Sequence, residues 1–482
     1  MKYFKIKNCE QSAANASNYA EWLAATERLE SLKGIDKWQA DNNSPFYPRA
    51  ILEEQISALK GYRKNQLKSK LMDFLQEELH RSAGELSDYH LYDHSSLGTK
   101  LLVEEYLNEI EFTLHHFCES KIPGVDISTK ERIFLQAINN FGQSALMLSG
   151  GGTLAISHFG VVKAMLEHRI LPQVICGSSM GAVVAAVIGT RRDEELLNTL
   201  KTPSNQNFIP IRYNKLNDIY SSGALLDEDK LMECISHNIP ELTFLEAYKK
   251  TNRIINITVS PARSGQKPFI LNYKTTPNIS LRHACKASCS IPLLFPGTPL
   301  MKKNSHDDLI MCMGTERWID GSVHSDIPMT SISRLHNVNH FIVSQTNPHI
   351  LPLIAYRQKS GVLPFFLDWS ASGIHAFWHQ LISTSKKRIR NRKIRFLLER
   401  ADSILGQDYS GDINLAPKLS MGQHFKSMTN PSDKEVNQLI LAGEQATWPK
   451  LAMIRQQTRI SHTLLRCYER IKAQSHTKVE NH

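Results

Sequence analysis

Hydrophobic residues along this chain follow two different rhythms. From about residue 18 to 120 they recur at intervals of three and four among many charges, as in ILEEQISALKGYRKNQLKSKLMDFLQEELHR and TKLLVEEYLNEIEFTLHHF, which is the spacing of amphipathic helices. Pro123 and Gly124 interrupt this pattern, and Ser128 with Glu131 has the spacing of a capping box ahead of one more helix, ERIFLQAINNFG. Short apolar runs bounded by turn residues come next. ALMLS (145–149), QVICG, RIINITVS, PFILNY and NHFIVSQ read as strands, and LAISHFGVVKAMLEH and MGAVVAAVIGT as helices. Strands alternating with helices predict a parallel α/β sheet. Past Pro348 the chain turns helical and basic and ends in a polar tail, QSHTKVENH, with no internal repeat or low-complexity segment. The expected division is a helical region over 1–143, an α/β domain over 144–348 and a helical, basic region over 349–482.

Composition narrows the class. A chain of 482 residues with 41% hydrophobic and 22% charged positions is globular and longer than one ordinary core requires. Its net charge of +10 favours anionic partners, a nucleic acid or an acidic membrane surface. The amino terminus lacks the apolar core of a secretory signal, and no apolar run is long enough to span a bilayer. The expectation is an intracellular protein that meets membranes only peripherally. Its eight cysteines are scattered, and even the close pair Cys285 and Cys289 lacks the partners of a zinc site, so they read as reduced thiols and no metal is expected.

Within the α/β region, VICGSSMGAVVAAVIG (174–189) places Ser179 in a G-x-S-x-G pentapeptide. Gly177 and Gly181 let a chain turn sharply from strand into helix, so that the middle serine projects its hydroxyl at the helix N-terminus. The competing reading is a small-residue packing site, and the flanking strand and helix runs favour the nucleophile. A second turn, Ser149-Gly150-Gly151-Gly152-Thr153-Leu154-Ala155, exposes backbone N–H groups beside another helix start, which suits a phosphate or the oxyanion of acyl transfer. A dinucleotide fingerprint would require glycine where Ala155 stands and an acidic residue at the end of the next strand, so the oxyanion reading is preferred. For a base, His237, His283, His324 and His349 have no distinguishing context, whereas WIDGSVHSDIP sets Asp320 at the end of an apolar run, followed by a glycine. A carboxylate there can activate Ser179 directly, although an aspartate before glycine is also an ordinary turn residue. His158 reads as a hydrogen-bonded structural histidine.

Taken in order, SGGGTLAISHFGVVKAMLE, VICGSSMGAVVAAV, ASCSIPLLFPG and WIDGS resemble the patatin-like phospholipase family. YAEW, LHR, GTKLLVEEY, NVNHFIVSQTNPH and GEQATWPK extend the resemblance over roughly residues 18–465, to the subgroup of yeast-type triacylglycerol lipases with a helical N-terminal domain. The resemblance implies a three-layer α/β core with a central, mostly parallel sheet, flanked by helical N- and C-terminal regions. It also implies a serine acyl hydrolase in which Ser179 is the nucleophile, Asp320 its base and Gly150, Gly151 and Gly152 the oxyanion loop, with no metal or organic cofactor. The family commonly has glycine at the position of Ala155 and glycine or alanine at that of Ser322. Acyl transfer to another lipid and non-catalytic lipid binding are the alternatives, and retention of both Ser179 and Asp320 argues for turnover.

Residues 362–395 join an aromatic stretch to a basic one. Ile374, Phe377, Trp378 and Leu381 share a helical face, and Lys386, Lys387, Arg388, Arg390, Arg392, Lys393 and Arg395 come directly after it. Such an element suits peripheral contact with a membrane or lipid-droplet surface and equally suits a helix packed on the core. No nucleic-acid reader motif accompanies the charge, so no nucleic-acid partner is expected. The partner expected is a glycerolipid substrate, and the sequence leaves the oligomeric state open.

Overall fold

The apolar runs near residues 145, 174 and 254 are rich in Val, Ile and Leu and are buried along almost their whole length, as interior strands of a parallel sheet require. In the computed structural model they form β1 (Gln143–Leu148), β2 (Val174–Gly177) and β3 (Ile254–Pro261). Further strands are β4 (Phe269–Leu271), β5 (Leu300–Lys303), β6 (Leu309–Cys312), β7 (Trp318–Asp320), β8 (Val338–Ser344) and β9 (Ile413–Leu415). The structure describes residues 1–81, 88–203, 206–215, 219, 224–263, 268–292, 294–322, 326–347, 410–420, 422–423 and 426–479. The aromatic and basic elements of 362–395, and both His324 and His349, lie outside the described residues.

Among the described residues seven strands form one sheet in the order β4-β3-β2-β1-β8-β9, with β7 also on β3. β1 and β2, β2 and β3, and β8 and β9 run parallel, whereas β4 and β7 lie antiparallel to β3. Strands β5 and β6 make a separate antiparallel hairpin. Strand β2 stops at Gly177, opposite Ile257 of β3. Two residues further along β3, Val259 lies between Phe269 of β4 and Asp320 of β7, so β7 occupies the edge of β3 that β2 has vacated.

The chain divides into two compact units. One comprises Met1–Ser144, Leu335–His340 and Thr447–His482, and its long helices Leu101–Glu119, Ile127–Phe141 and Leu451–Val479 pack on one another through an apolar face each. The helix at Ile127 starts differently from the capping-box expectation. Asp126 is its N-cap and accepts the Thr129 N–H at 2.9 Å, while Ser128 donates to the same carboxylate at 2.8 Å, so Glu131 is not needed as a reciprocal cap. Among the described residues no helix is long and apolar enough to cross a membrane.

The second unit, Ala145–Arg334 with Phe341–Ala446, holds nearly all of the sheet and the helices that come after its strands. Here helix Ser157–Glu167 crosses helix Asp433–Thr447 with the backbones in contact. A Cβ on Gly160 would fall 1.8 Å from the Ile440 carbonyl oxygen, and one on Gly443 would fall 1.9 Å from that of Ser157. Lys163 and Glu444 close the crossing with an ion pair of 2.7 Å. Because neither backbone can yield without separating the helices, Gly160→Ala is expected to cost roughly 1–3 kcal/mol. Denaturant unfolding checks this, and an unchanged midpoint would contradict the crossing described.

Candidate active site

The turn after β2 begins with Ser178, whose N–H donates to the Leu148 carbonyl at 3.2 Å. Ser179 then takes φ 52° and ψ −131°, a left-handed value that costs a residue with a Cβ about 1–3 kcal/mol, and helix Met180–Gly189 starts at the next residue. Two close approaches hold this conformation. A Cβ on Gly177 would lie 2.3 Å from the Gly181 carbonyl oxygen, and one on Gly181 would lie 2.5 Å from those of Leu148 and Ser149. The Ser179 N–H donates to the Ser288 hydroxyl at 2.9 Å, which fixes the turn from the helix Leu281–Ser288. Ser179 is buried, and Asp320 stands close enough for its carboxylate to be stabilised by the Ser179 hydroxyl.

Asp320 is fully buried at the end of β7. Its Oδ1 accepts the Ser322 N–H at 2.8 Å, while Oδ2 has no partner within hydrogen-bond range among the described residues. Gly321 is required here because a Cβ would meet the Thr258 backbone at 2.5 Å. Burial raises the Asp320 carboxyl to about 6, and Ser322 and Ser179 act against that rise. The group is therefore ionised at neutral pH and basic enough to accept a proton. The donor from Ser322 to Oδ1 is its backbone N–H, which glycine or alanine at that position would supply equally.

The glycine turn lies against the same serine. A Cβ on Gly150 would lie 3.2 Å from the Ser179 Cβ. Gly151 and Gly152 have φ 149° and 59°, and a Cβ on either would strike the backbone of Thr346 or Ser427. All three N–H groups are expected from the sequence to be free for an oxyanion, and the structure differs at the first. The Gly150 N–H is donated to Oδ1 of Asp326 at 2.8 Å. The N–H groups of Gly151, Gly152 and Met180 have no hydrogen-bond acceptor among the described residues. They are the donors this geometry offers to a developing negative charge.

Asp326 was not visible as a site residue in the sequence. It is buried, its Oδ2 accepts the Asn347 side-chain N–H, and its carbonyl accepts the Ser178 hydroxyl at 2.7 Å, which in turn accepts from Thr258. Burial raises its carboxyl to about 7, the Gly150 N–H acts against the rise, and the charge of Asp320 adds to it. The other residues missed are Ser288, Thr346 and Asn347. They sit in ASCSIPLLFPG and NVNHFIVSQTNPH, two of the stretches that carry the family resemblance, but nothing in their residue types or spacing marks them as site residues.

His158 is fully buried. Its Nε2 faces the Ser149 carbonyl at 3.0 Å and its Nδ1 the Ser344 hydroxyl at 2.7 Å, so Nε2 carries the proton and Nδ1 accepts. Burial lowers it to about 4, leaving a neutral ring beneath the glycine turn. His283 pairs with Ser280 at 3.1 Å, at the helix end remote from Ser288.

The Asp320 burial has a measurable consequence for stability. Below about pH 4 the carboxyl is neutral in both folded and unfolded chains. As pH rises through about 6 the folded protein must ionise a buried group that the unfolded chain ionises freely, so stability falls by roughly 2–3 kcal/mol. Asp320→Asn keeps the acceptor for Ser322 and removes the charge. It is expected to melt above the wild type at pH 8 and close to it at pH 4. Equal melting temperatures at pH 8 would contradict the burial described.

Comparison with known proteins matches residues 146–332 to the patatin-like phospholipase family and residues 2–139 to a domain of unknown function, DUF3336. Triacylglycerol lipase 4 of Saccharomyces cerevisiae is 32% identical over 93% of this chain, which spans about half (51%) of the yeast protein. Triacylglycerol lipase ptl3 of Schizosaccharomyces pombe is 30% identical over 95% of this chain and 96% of its own length. Among solved structures, VipD from Legionella pneumophila matches 67% of each chain at 12% identity with a TM-score of 0.30, too slight a likeness to inform the fold.

Proposed function

This chain belongs to the patatin-like phospholipase family, and on that premise we propose that it is a serine acyl hydrolase of glycerolipids, acting as a triacylglycerol lipase. The observation that carries the reading is the left-handed Ser179, held between a glycine turn and a buried carboxylate with one unpartnered oxygen. The names of the relatives support the substrate class.

In this reading Asp320 takes the proton of the Ser179 hydroxyl as Oγ bonds to the acyl carbonyl carbon. The carbonyl electrons move to oxygen, where the N–H groups of Gly151, Gly152 and Met180 meet the charge. Collapse expels the glycerol oxygen, which takes the proton from Asp320. Water then gives a proton to Asp320 and adds to the acyl carbon, and the fatty acid leaves as Ser179 regains its proton. No metal or organic cofactor enters these steps. Glycerolipids of this kind are held in droplets and bilayers, so the protein meets its substrate peripherally at a lipid surface.

The test is lipid profiling of the products released from a mixed-lipid emulsion. Wild type is expected to release fatty acids from triacylglycerol, Ser179→Ala to release none, and folded Asp320→Asn to turn over roughly 10²–10⁴-fold more slowly. Release by Ser179→Ala at the wild-type rate would overturn the assignment. Release from phospholipid alone would move the substrate class.

A further inference from the structure

Six residues after Asp320, the same segment returns a second buried carboxylate to the site. Asp326 Oδ1 accepts the Gly150 N–H at 2.8 Å and its Oδ2 accepts from Asn347. Its own carbonyl accepts the hydroxyl of Ser178, the residue before Ser179, at 2.7 Å. One residue therefore joins three elements: the glycine turn after β1, the serine turn after β2 and the chain leaving β8. Two of these links are made by its carboxylate and one by its main-chain carbonyl, and the residue is only 2% exposed.

The effect on Gly150 is specific. Its N–H is held by Asp326 and its carbonyl oxygen is held by the Thr346 hydroxyl, also at 2.8 Å. The peptide between Gly150 and Gly151 is planar, so its N–H lies opposite its C=O. Fixing the Gly150 carbonyl on Thr346 thus fixes the direction of the Gly151 N–H. Glycine has no side chain to restrain it, and the N–H groups of Gly151 and Gly152 make no backbone bond among the described residues. The Gly150 carbonyl also accepts the Ser149 hydroxyl at 3.0 Å, and the Thr153 N–H is held by the Ser427 carbonyl at 2.9 Å, so among the described residues Asp326 is the one side chain that holds the N–H side of Gly150 while the others hold its carbonyl and the end of the turn. A preorganised donor is what oxyanion stabilisation requires, since a donor that must be reoriented during the reaction loses most of its advantage.

We propose that Asp326 is a positioning residue for the acyl-transfer reaction, an anchor that holds the Gly150–Gly152 turn in register with Ser179 through the Gly150 N–H. The proposal rests on the reading of Ser179 as nucleophile. It assigns Asp326 no contact with substrate. The property required of it is an acceptor oxygen at the Oδ1 position, which asparagine also supplies and alanine does not.

The experiment compares full-length Asp326→Asn and Asp326→Ala on a soluble short-chain ester, with melting curves for each. Asp326→Ala is expected to lower kcat about 30- to 300-fold while KM changes less than about threefold, because the donors act on the transition state. Asp326→Asn is expected to keep kcat within about threefold of wild type. Wild-type kcat in folded Asp326→Ala would overturn the proposal, and so would an Asn variant as slow as the Ala variant. If Asp326→Ala does not fold, Asn347→Ala loosens the same carboxylate from its other oxygen and is expected to lower kcat with KM unchanged; an unaltered kcat there would also overturn it. Ser179→Ala on the same ester separates the two claims. Turnover by that variant removes the reading of Ser179, whereas an inactive Ser179→Ala beside a fully active Asp326→Ala removes only the anchor.

Discussion

Strand β2 ends at Gly177, opposite Ile257, while strand β3 runs on to Pro261, and the candidate site occupies the space this leaves. Where β2 departs the chain bends into Ser179, and on the edge of β3 just beyond, β7 arrives from the opposite direction with Asp320 at its end. The two residues come from distant segments of the chain, yet the register of one strand fixes both. Gly177, Gly181 and Gly321 all stand where backbones touch, with hypothetical Cβ contacts of 2.3–2.5 Å. A methyl group at Gly177 or Gly181 would force the serine turn apart from its own helix or from the end of β1, and one at Gly321 would push the aspartate strand away from β3.

This arrangement carries a standing electrostatic cost. Asp320 and Asp326 are both buried, both are raised well above an ordinary carboxyl, and each is held by few donors. Replacing either with a neutral isostere relieves that penalty, whereas a structural carboxylate in an ion pair would lose stability on replacement. The left-handed backbone at Ser179 adds local strain of the same order. Such costs are commonly concentrated where a protein does chemistry, and here they gather around the same serine.

Much of this was legible along the chain. The strand runs ALMLS, QVICG, RIINITVS and NHFIVSQ and the small-residue helix MGAVVAAVIGT are signals of local composition, and the sheet and helices form close to those bounds. The glycine turns were legible because few other residues permit such backbones. Asp326 was not, since an aspartate ahead of Ile-Pro looks like an ordinary turn residue until the fold brings Gly150 and Asn347 to its two oxygens. The loss of Gly150 as a free donor has the same origin. At Ile127 the sequence pointed to Ser128 with Glu131 as the cap, whereas the structure uses Asp126, because the backbone bend places its carboxylate beside the Thr129 N–H. Ser178, one position from Ser179, shows the same limit: its hydroxyl links Thr258 to Asp326, a role that only the tertiary structure reveals.

The chemistry stands or falls on Ser179 as the group that forms a covalent bond with the acyl carbon. Reaction of the whole protein with a fluorophosphonate, followed by digestion and mass spectrometry, tests this most directly. One adduct per chain is expected, located on Ser179, and no adduct in Ser179→Ala. An adduct on another serine, or undiminished labelling of Ser179→Ala, would contradict it.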